Sequence, residues 1–142
     1  MSGTALHEAV KARLQAQPGK PVDPLPVYVV EAPKSPGQVY LILRPDPGVV
    51  TPRSVASSHS NLAEEVTVTA VSNTAGGAPN LAAWVRWCLV GWNPNPADPS
   101  QSPLAQIDRG PVLPERDGQG AVSKCTCTTV YRAHRRRKQV TP

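Results

Sequence analysis

The amino-acid sequence predicts an α+β domain: a small, mostly antiparallel or mixed sheet flanked by an N-terminal helix and a second, tryptophan-bearing helix, with long loops. Three observations carry that expectation. Glu65-Val66-Thr67-Val68-Thr69-Ala70-Val71 alternates polar and apolar residues with period two and is rich in β-branched side chains. That describes a half-buried strand with Val66, Val68 and Ala70 inward. Thr74 to Asn80 then breaks the pattern, the glycines Gly76 and Gly77 freeing the backbone and Pro79 fixing φ ahead of a new element. Finally, Leu81, Trp84, Val85, Cys88 and Leu89 recur at steps of three and four, which is the apolar stripe of one helix. Gly91 ends it, and Trp92-Asn93-Pro94 forbids continuation.

The other elements follow in chain order. Ser2 or Thr4 is placed to cap a first helix, with Glu8 in its early turns where the helix dipole favours an acid. Leu6, Val10 and Leu14 give it a narrow apolar stripe that Gly19 closes; the mixed polar face of Glu8, Lys11 and Arg13 suits a helix lying on a sheet rather than on a membrane. Lys20 to Pro26 is a rigid, proline-marked connector. Val27 to Ala32 and Val39 to Arg44 read as two strands of a hairpin around Pro33-Lys34-Ser35-Pro36-Gly37. In the second, Val39, Leu41 and Leu43 point one way and Tyr40 and Ile42 the other, so cover is expected on both faces, from helices or from a neighbouring subunit. Val49 to Glu64 is polar, serine-rich and long for a loop, a length that usually marks function or disorder.

Beyond the Trp helix, prolines from Pro94 to Pro103 predict a stiff, extended arm. Leu104 to Leu113 alternates weakly, as a short edge strand halted by Gly110-Pro111, and Arg116 to Gly120 is a turn. Ala121 to Tyr131 is the last strand, with Cys125, Cys127, Thr129 and Tyr131 on one face and Val122, Thr126, Thr128 and Val130 on the other. The expected division is one α+β domain over residues 1–131 and a basic tail over 132–142. Its core is expected from Leu6, Val10, Leu14, Leu41, Leu43, Val66, Val68, Leu81, Trp84, Val85 and Cys88.

Composition bounds what such a domain can do. The 142 residues suffice for one modest core, built without phenylalanine, and the 17 prolines point to stiff loops around a folded body. Apolar runs fall far short of the ~20 residues of a membrane span. No export signal is expected, since Met1 to Val10 carries Glu8 and no basic-then-apolar pattern. Free thiols in a reducing compartment are the expected state of the three cysteines. The net charge of +5 is local: Arg132, Arg135, Arg136, Arg137 and Lys138 supply it, while the rest of the chain holds ten basic and ten acidic residues.

Sites of covalent chemistry are not expected. Cys125-x-Cys127 places two thiols side by side on a strand, and Cys88, His134, His59 and His7 are the remaining ligand types. Yet no C-x-x-C pair or zinc-like spacing accompanies them, so buried structural thiols are the reading adopted. There is no G-x-S-x-G elbow and no phosphate-cradling glycine loop, and the adjacent Glu64 and Glu65 point to opposite strand faces and cannot form a dyad. No catalytic residue, cofactor site or metal site is assigned, and the chain is not expected to be an enzyme. Candidate partner- or DNA-facing residues are Arg53 and His59 in the long loop and Arg132, Arg135, Arg136, Arg137 and Lys138 in the tail. Those five cations would suit phosphate contacts of salt-dependent, sequence-independent affinity, which is the rival reading of a small nucleic-acid-binding protein.

Val39-Tyr40-Leu41-Ile42-Leu43-Arg44-Pro45, Val66-Thr67-Val68-Thr69-Ala70-Val71 and Trp84-Val85-Arg86-Trp87-Cys88-Leu89-Val90-Gly91, in this order after an amphipathic helix, resemble the tail terminator (tail completion) proteins of long-tailed bacteriophages, especially those of actinobacterial hosts. The resemblance spans roughly residues 4–131 and leaves the arginine-rich end and the Cys125/Cys127 pair unassigned. It implies a non-enzymatic α/β subunit that forms a ring, as a hexamer, on the last ring of the tail tube. Such a subunit stops tube polymerisation and presents a surface to head-completion and neck proteins. It further implies a place at the tail–head junction of the virion, assembly in the host cytoplasm, no membrane, and DNA passing through the lumen. A neighbouring head–tail connector component carries the same pattern.

Overall fold

The computed structural model describes residues 6–34, 37–52, 59–116, 119–120 and 122–138, with the backbone alone at 46–52, 59–62, 122 and 135–138. Two helices lie on one face of a five-stranded sheet: α1 (Leu6–Ala16), β1 (Val27–Val29), β2 (Tyr40–Pro52), β3 (His59–Ser72), α2 (Gly77–Leu89), β4 (Ala105–Arg116) and β5 (Val122–Lys138). The strand order is β1-β2-β3-β5-β4, and every pairing is antiparallel except β1 with β2. The α+β class and the mixed sheet are as the periodicities predict.

The core forms where the apolar stripes meet. Leu6, Val10 and Leu14 of α1 and Leu81, Trp84, Val85, Cys88 and Leu89 of α2 close on Leu41, Leu43, Val66, Val68 and Ala70, with Cys125, Cys127 and Tyr131 from β5. Each fully buried aliphatic side chain here contributes about 1.5–3 kcal/mol relative to exposure. All eleven predicted core residues belong to this cluster. Trp84 also pins the chain between the layers, its indole N–H donating to the Pro18 carbonyl at 3.1 Å. Gly19, at φ +77°, gives the tight turn beneath that contact. From α1, Arg13 donates through Nε to the Cys88 carbonyl at 3.1 Å and lies over the Trp92 ring at 5.4 Å. A cation thereby meets the free carbonyls at the C-terminal end of α2.

Several expectations are corrected. The proposed hairpin of Val27–Ala32 with Val39–Arg44 is a parallel pair, Val27 opposite Leu41 and Val29 opposite Leu43. β1 stops after three residues because Val30 takes φ 72° in a γ-turn closed by Glu31 N–H to the Val29 carbonyl at 2.9 Å. The chain thus leaves the sheet before Pro33, which has no N–H for a ladder. α2 begins at Gly77, four residues ahead of the first stripe residue, with Pro79 in its first turn where a missing N–H is harmless. Thr74 Oγ1 accepts the Gly77 N–H at 3.0 Å. The candidate caps Ser2 and Thr4 lie outside the described residues.

The long loop of Val49–Glu64 is mostly strand. β2 runs on to Pro52 and β3 begins at His59, with Val49 to Pro52 opposite Ala63 to Ser60 past an irregularity after Asp46. The strand reading was hidden because Ser60, Asn61 and Glu64 interrupt any period-two pattern, whereas the ladder there is held by backbone bonds. β5 likewise continues past Tyr131 to Lys138, so the residues read as a departing tail up to that point form the end of a strand. β4 passes through Gly110-Pro111 rather than halting there, accommodating it in a register shift between Arg109 and Val112.

The stretch after α2 is not an extended arm. Turns close at Asn95–Asp98 and Asp98–Gln101, Gly91 and Leu104 are bonded at 3.0 Å, and Ser102 N–H donates to the His134 carbonyl at 2.8 Å. Asn and Asp side chains at positions 93 and 98 accept the backbone N–H two residues on, which favours turns over extension. Leu104 ends up buried in the core.

Helices cover only one face of the sheet. On the other, Tyr40, Ile42 and Val71 form a small second cluster closed by Tyr28 and Ala32 of this same chain. Tyr28 meets Tyr40 edge-on at 5.7 Å, and Lys124 donates to the Tyr40 hydroxyl at 3.2 Å. Further along, Thr69 and Thr128 share a hydrogen bond of 3.2 Å, and Arg44 donates to Thr69.

Replacing Trp84 by alanine removes a buried ring and the donor to Pro18, and should cost about 3–5 kcal/mol in urea unfolding. Trp87→Ala on the same helix removes a side chain that is 66% exposed and should change stability by no more than about 0.5 kcal/mol.

Candidate functional site

The thiols are disposed of first. Cys125 and Cys127 sit on the inward face of β5, and Cys88 sits on the inward face of α2; all three are free and buried. Among the described residues no group of three or more His, Cys, Asp or Glu side chains is placed to hold a metal ion. Cys127 instead points its sulfur at the Gly110 carbonyl, 3.8 Å away. Burial pushes the Cys88 thiol up to about 11, against the smaller opposing pull of Arg13 and Lys20. A nucleophilic cysteine is activated by the reverse change, so Cys88 serves as a packing group.

The predicted partner-facing residues come together in an unforeseen way. The loop and the tail, separated by some seventy positions in sequence, are neighbouring strands. His59 is the register partner of Lys138, Ser60 of Arg137, Asn61 of Arg136 and Leu62 of Arg135. With Val49–Pro52 on the far side of β3, these segments build one three-stranded extension of the sheet. Arg53 lies outside the described residues. Of the five cations, Arg132 is the one whose side chain is described, and its guanidinium is paired with Glu65, the Nε bond being 2.9 Å. Half-exposed as it is, that pair contributes at most about 1 kcal/mol, but it takes one charge out of the basic set.

Open edges are the other feature of the sheet, and the edge strand expected at Leu104–Leu113 supplies one of them. β1 covers β2 only as far as Leu43, and from Arg44 onward the edge of β2 away from β3 has no strand beside it among the described residues. At the opposite side β4 is the last strand, and it exposes Ile107, Val112 and Leu113, the last 55% accessible. Unpaired N–H and C=O groups with apolar side chains beside them are the features through which one sheet adds to another. The weak alternation at Leu104–Leu113 marks this edge strand in the sequence, whereas the open edge of β2 has no such signal.

No helix among the described residues is long and apolar enough to cross a membrane. No protein-family model matches the chain, and no curated protein matches it. Among solved structures, the chain is similar in fold to a chain of the virion of a native gene transfer agent (GTA) particle. The TM-score is 0.60 and the identity 20%, and the likeness covers 93% of this chain and 95% of that one.

The Cys88 shift gives a pH dependence of known sign. Below pH 9 the thiol is neutral folded and unfolded; as pH rises from 9 toward about 11 the unfolded chain ionises first, so stability falls across that window. Chemical denaturation at pH 8, 9, 10 and 11 should show a shallower fall for Cys88→Ala than for the parent chain, whatever the offset between the two curves.

Proposed function

We propose that the chain is a structural subunit of a phage-like virion and, within it, the tail terminator. It would form a ring, a hexamer, on the last ring of the tail tube, end tube polymerisation and present the joining surface to head-completion and neck proteins. The observation that carries this reading is the extent of the fold likeness, which runs over nearly the whole of both chains to a subunit of a virion particle. The motif order of the β2 start, β3 and α2 supports the finer assignment. Physically, a subunit with two different open edges, one on β2 and one on β4, is suited to a heterologous contact repeated by rotation. Such a contact closes into a ring when the rotation closes and makes a filament when it does not. No bond is made or broken in this role; the chain acts by shape and self-association at the tail–head junction.

The basic end of β5 has a place in the same scheme. Arg135, Arg136, Arg137 and Lys138 are held in a strand rather than on a free tail, which supports contact with DNA passing through the lumen of the ring. The rival nucleic-acid-binding role rests on these residues alone.

Two experiments separate the readings. Phage or particle preparations lacking this protein should show, by electron microscopy, tubes of unregulated length. Tubes of normal length that fail to join heads would assign the chain to an adjacent connector instead. In binding assays, glutamine at positions 135–138 should weaken any DNA affinity and reduce its salt slope by up to roughly 3.6, while leaving ring formation by light scattering unchanged. Loss of ring formation with those charges would show that they serve the subunit contact.

A further inference from the structure

On the helix side of the sheet, at its β4 edge, a cleft of about 120 Å³ is lined by Ala82, Ala83 and Arg86 of α2, Gln106 and Arg109 of β4, and Thr129 and Tyr131 of β5. Its shape has a cause in the sequence. The helix presents two alanines where larger side chains would fill the space, and protein interiors otherwise pack to near-crystalline density. Gln106 and Arg109 stand three apart on a strand and would ordinarily point to opposite faces. A bulge at Ile107 shifts the register, so that Gln106 opposes Tyr131 while Arg109 opposes Thr129, and all four reach the same side.

The chemistry is one-sided. Arg86 Nε donates to Gln106 Oε1 at 2.8 Å, which orients the guanidinium and leaves the Gln106 amide N–H groups as that side chain's remaining polar function. Arg109 has no acidic side-chain partner among the described residues. Tyr131 is wholly buried, and its hydroxyl has no partner within hydrogen-bonding distance, with the Thr129 side chain acting on it from the same wall of the cleft. Burial pushes that phenol upward, against the pull of the neighbouring Arg86 charge, so at neutral pH it remains a donor. Two guanidinium groups, an amide and a hydroxyl with no acceptor of its own to satisfy it describe a site for a planar anion.

We propose that this cleft binds a carboxylate, presented by an acidic side chain of a neighbouring protein subunit. The guanidinium forks of Arg86 and Arg109 match a carboxylate in plane and in charge, and Tyr131 supplies the buried hydroxyl beneath it. The inference does not depend on the role in capping a tail: it concerns a recognition pocket that any assembly partner could fill, and the two ideas fail in different experiments.

The test uses the full chain, isotope-labelled, in two-dimensional NMR. Titration with sodium acetate and with the blocked peptide acetyl-Gly-Glu-Gly-amide, at ionic strength matched with sodium chloride, should give saturable shifts at Arg86, Arg109 and Tyr131. Arg109→Gln, a change at an exposed position, should weaken peptide binding about tenfold or more, and Tyr131→Phe should weaken it while the remaining spectrum is kept. Arg116→Gln, away from the cleft, should leave it unchanged. Saturation by acetate with exclusion of the peptide would overturn the side-chain source in favour of a free small carboxylate. Shifts that chloride reproduces, or that Arg109→Gln leaves intact, would overturn the site altogether and assign the cleft to water.

Discussion

The antiparallel pairing of β3 with β5 is the constraint on which the other features rest. Its register runs without a break from Ser72 opposite Cys125 to His59 opposite Lys138. Because side chains alternate along both strands, that single register places Val66, Val68, Ala70, Cys127, Tyr131 and Ala133 on one face at once. A slip of one residue would turn Cys127, Tyr131 and Ala133 toward the helix-free side while Val66, Val68 and Ala70 stayed inward. The helices can dock only after this face exists, since the α2 stripe has its apolar partners on β3 and β5 together.

Pairing on this scale also holds polar stretches in the sheet among the described residues. Once β5 reaches Lys138 alongside β3, the residues around Ser60 and Asn61 acquire backbone partners and need no apolar side chains to stay in the sheet. Five cations that a sequence places on a tail are divided by the fold: Arg132 is tied to Glu65, and the remaining four are carried on the last strand beyond it. The backbone of those four residues is strand, paired with β3.

The fold leaves its unsatisfied features at the margins. Among the described residues, β2 beyond Leu43 and β4 each have an edge with no neighbouring strand, β4 exposes Ile107, Val112 and Leu113, and the cleft beneath α2 opens beside that same strand with the buried Tyr131 in its wall. The register shifts of β4 account for much of this. They carry the strand past Gly110-Pro111, bend its edge, and bring Gln106 and Arg109 to one side. Irregularity in an edge strand thus does two things: it guards against indiscriminate pairing and it aims polar groups at a defined place.

Reading residues alone located α1, α2, the start of β2, the inward half of β3 and the inward half of β5, because each buries one face and burial imprints a period of 3.6 or 2 on the choice of side chains. The eleven core positions were legible for the same reason. Partnership was not. Whether Val27–Val29 runs parallel or antiparallel to Leu41–Leu43 depends on a turn at Val30 that no propensity marks, and Ser60-Asn61 becomes strand because Thr51-Pro52 lies on one side and Arg136-Arg137 on the other. Every residue type except proline offers the same backbone donor and acceptor, so a strand held by its neighbours and not by a buried face leaves little trace in composition. The cleft was hidden likewise, since Arg86, Arg109 and Tyr131 stand far apart in the chain and meet only when α2, β4 and β5 are stacked. Local periodicity therefore settled which segments have an inside, and the packing of distant segments settled which edges, charges and donors were left facing out.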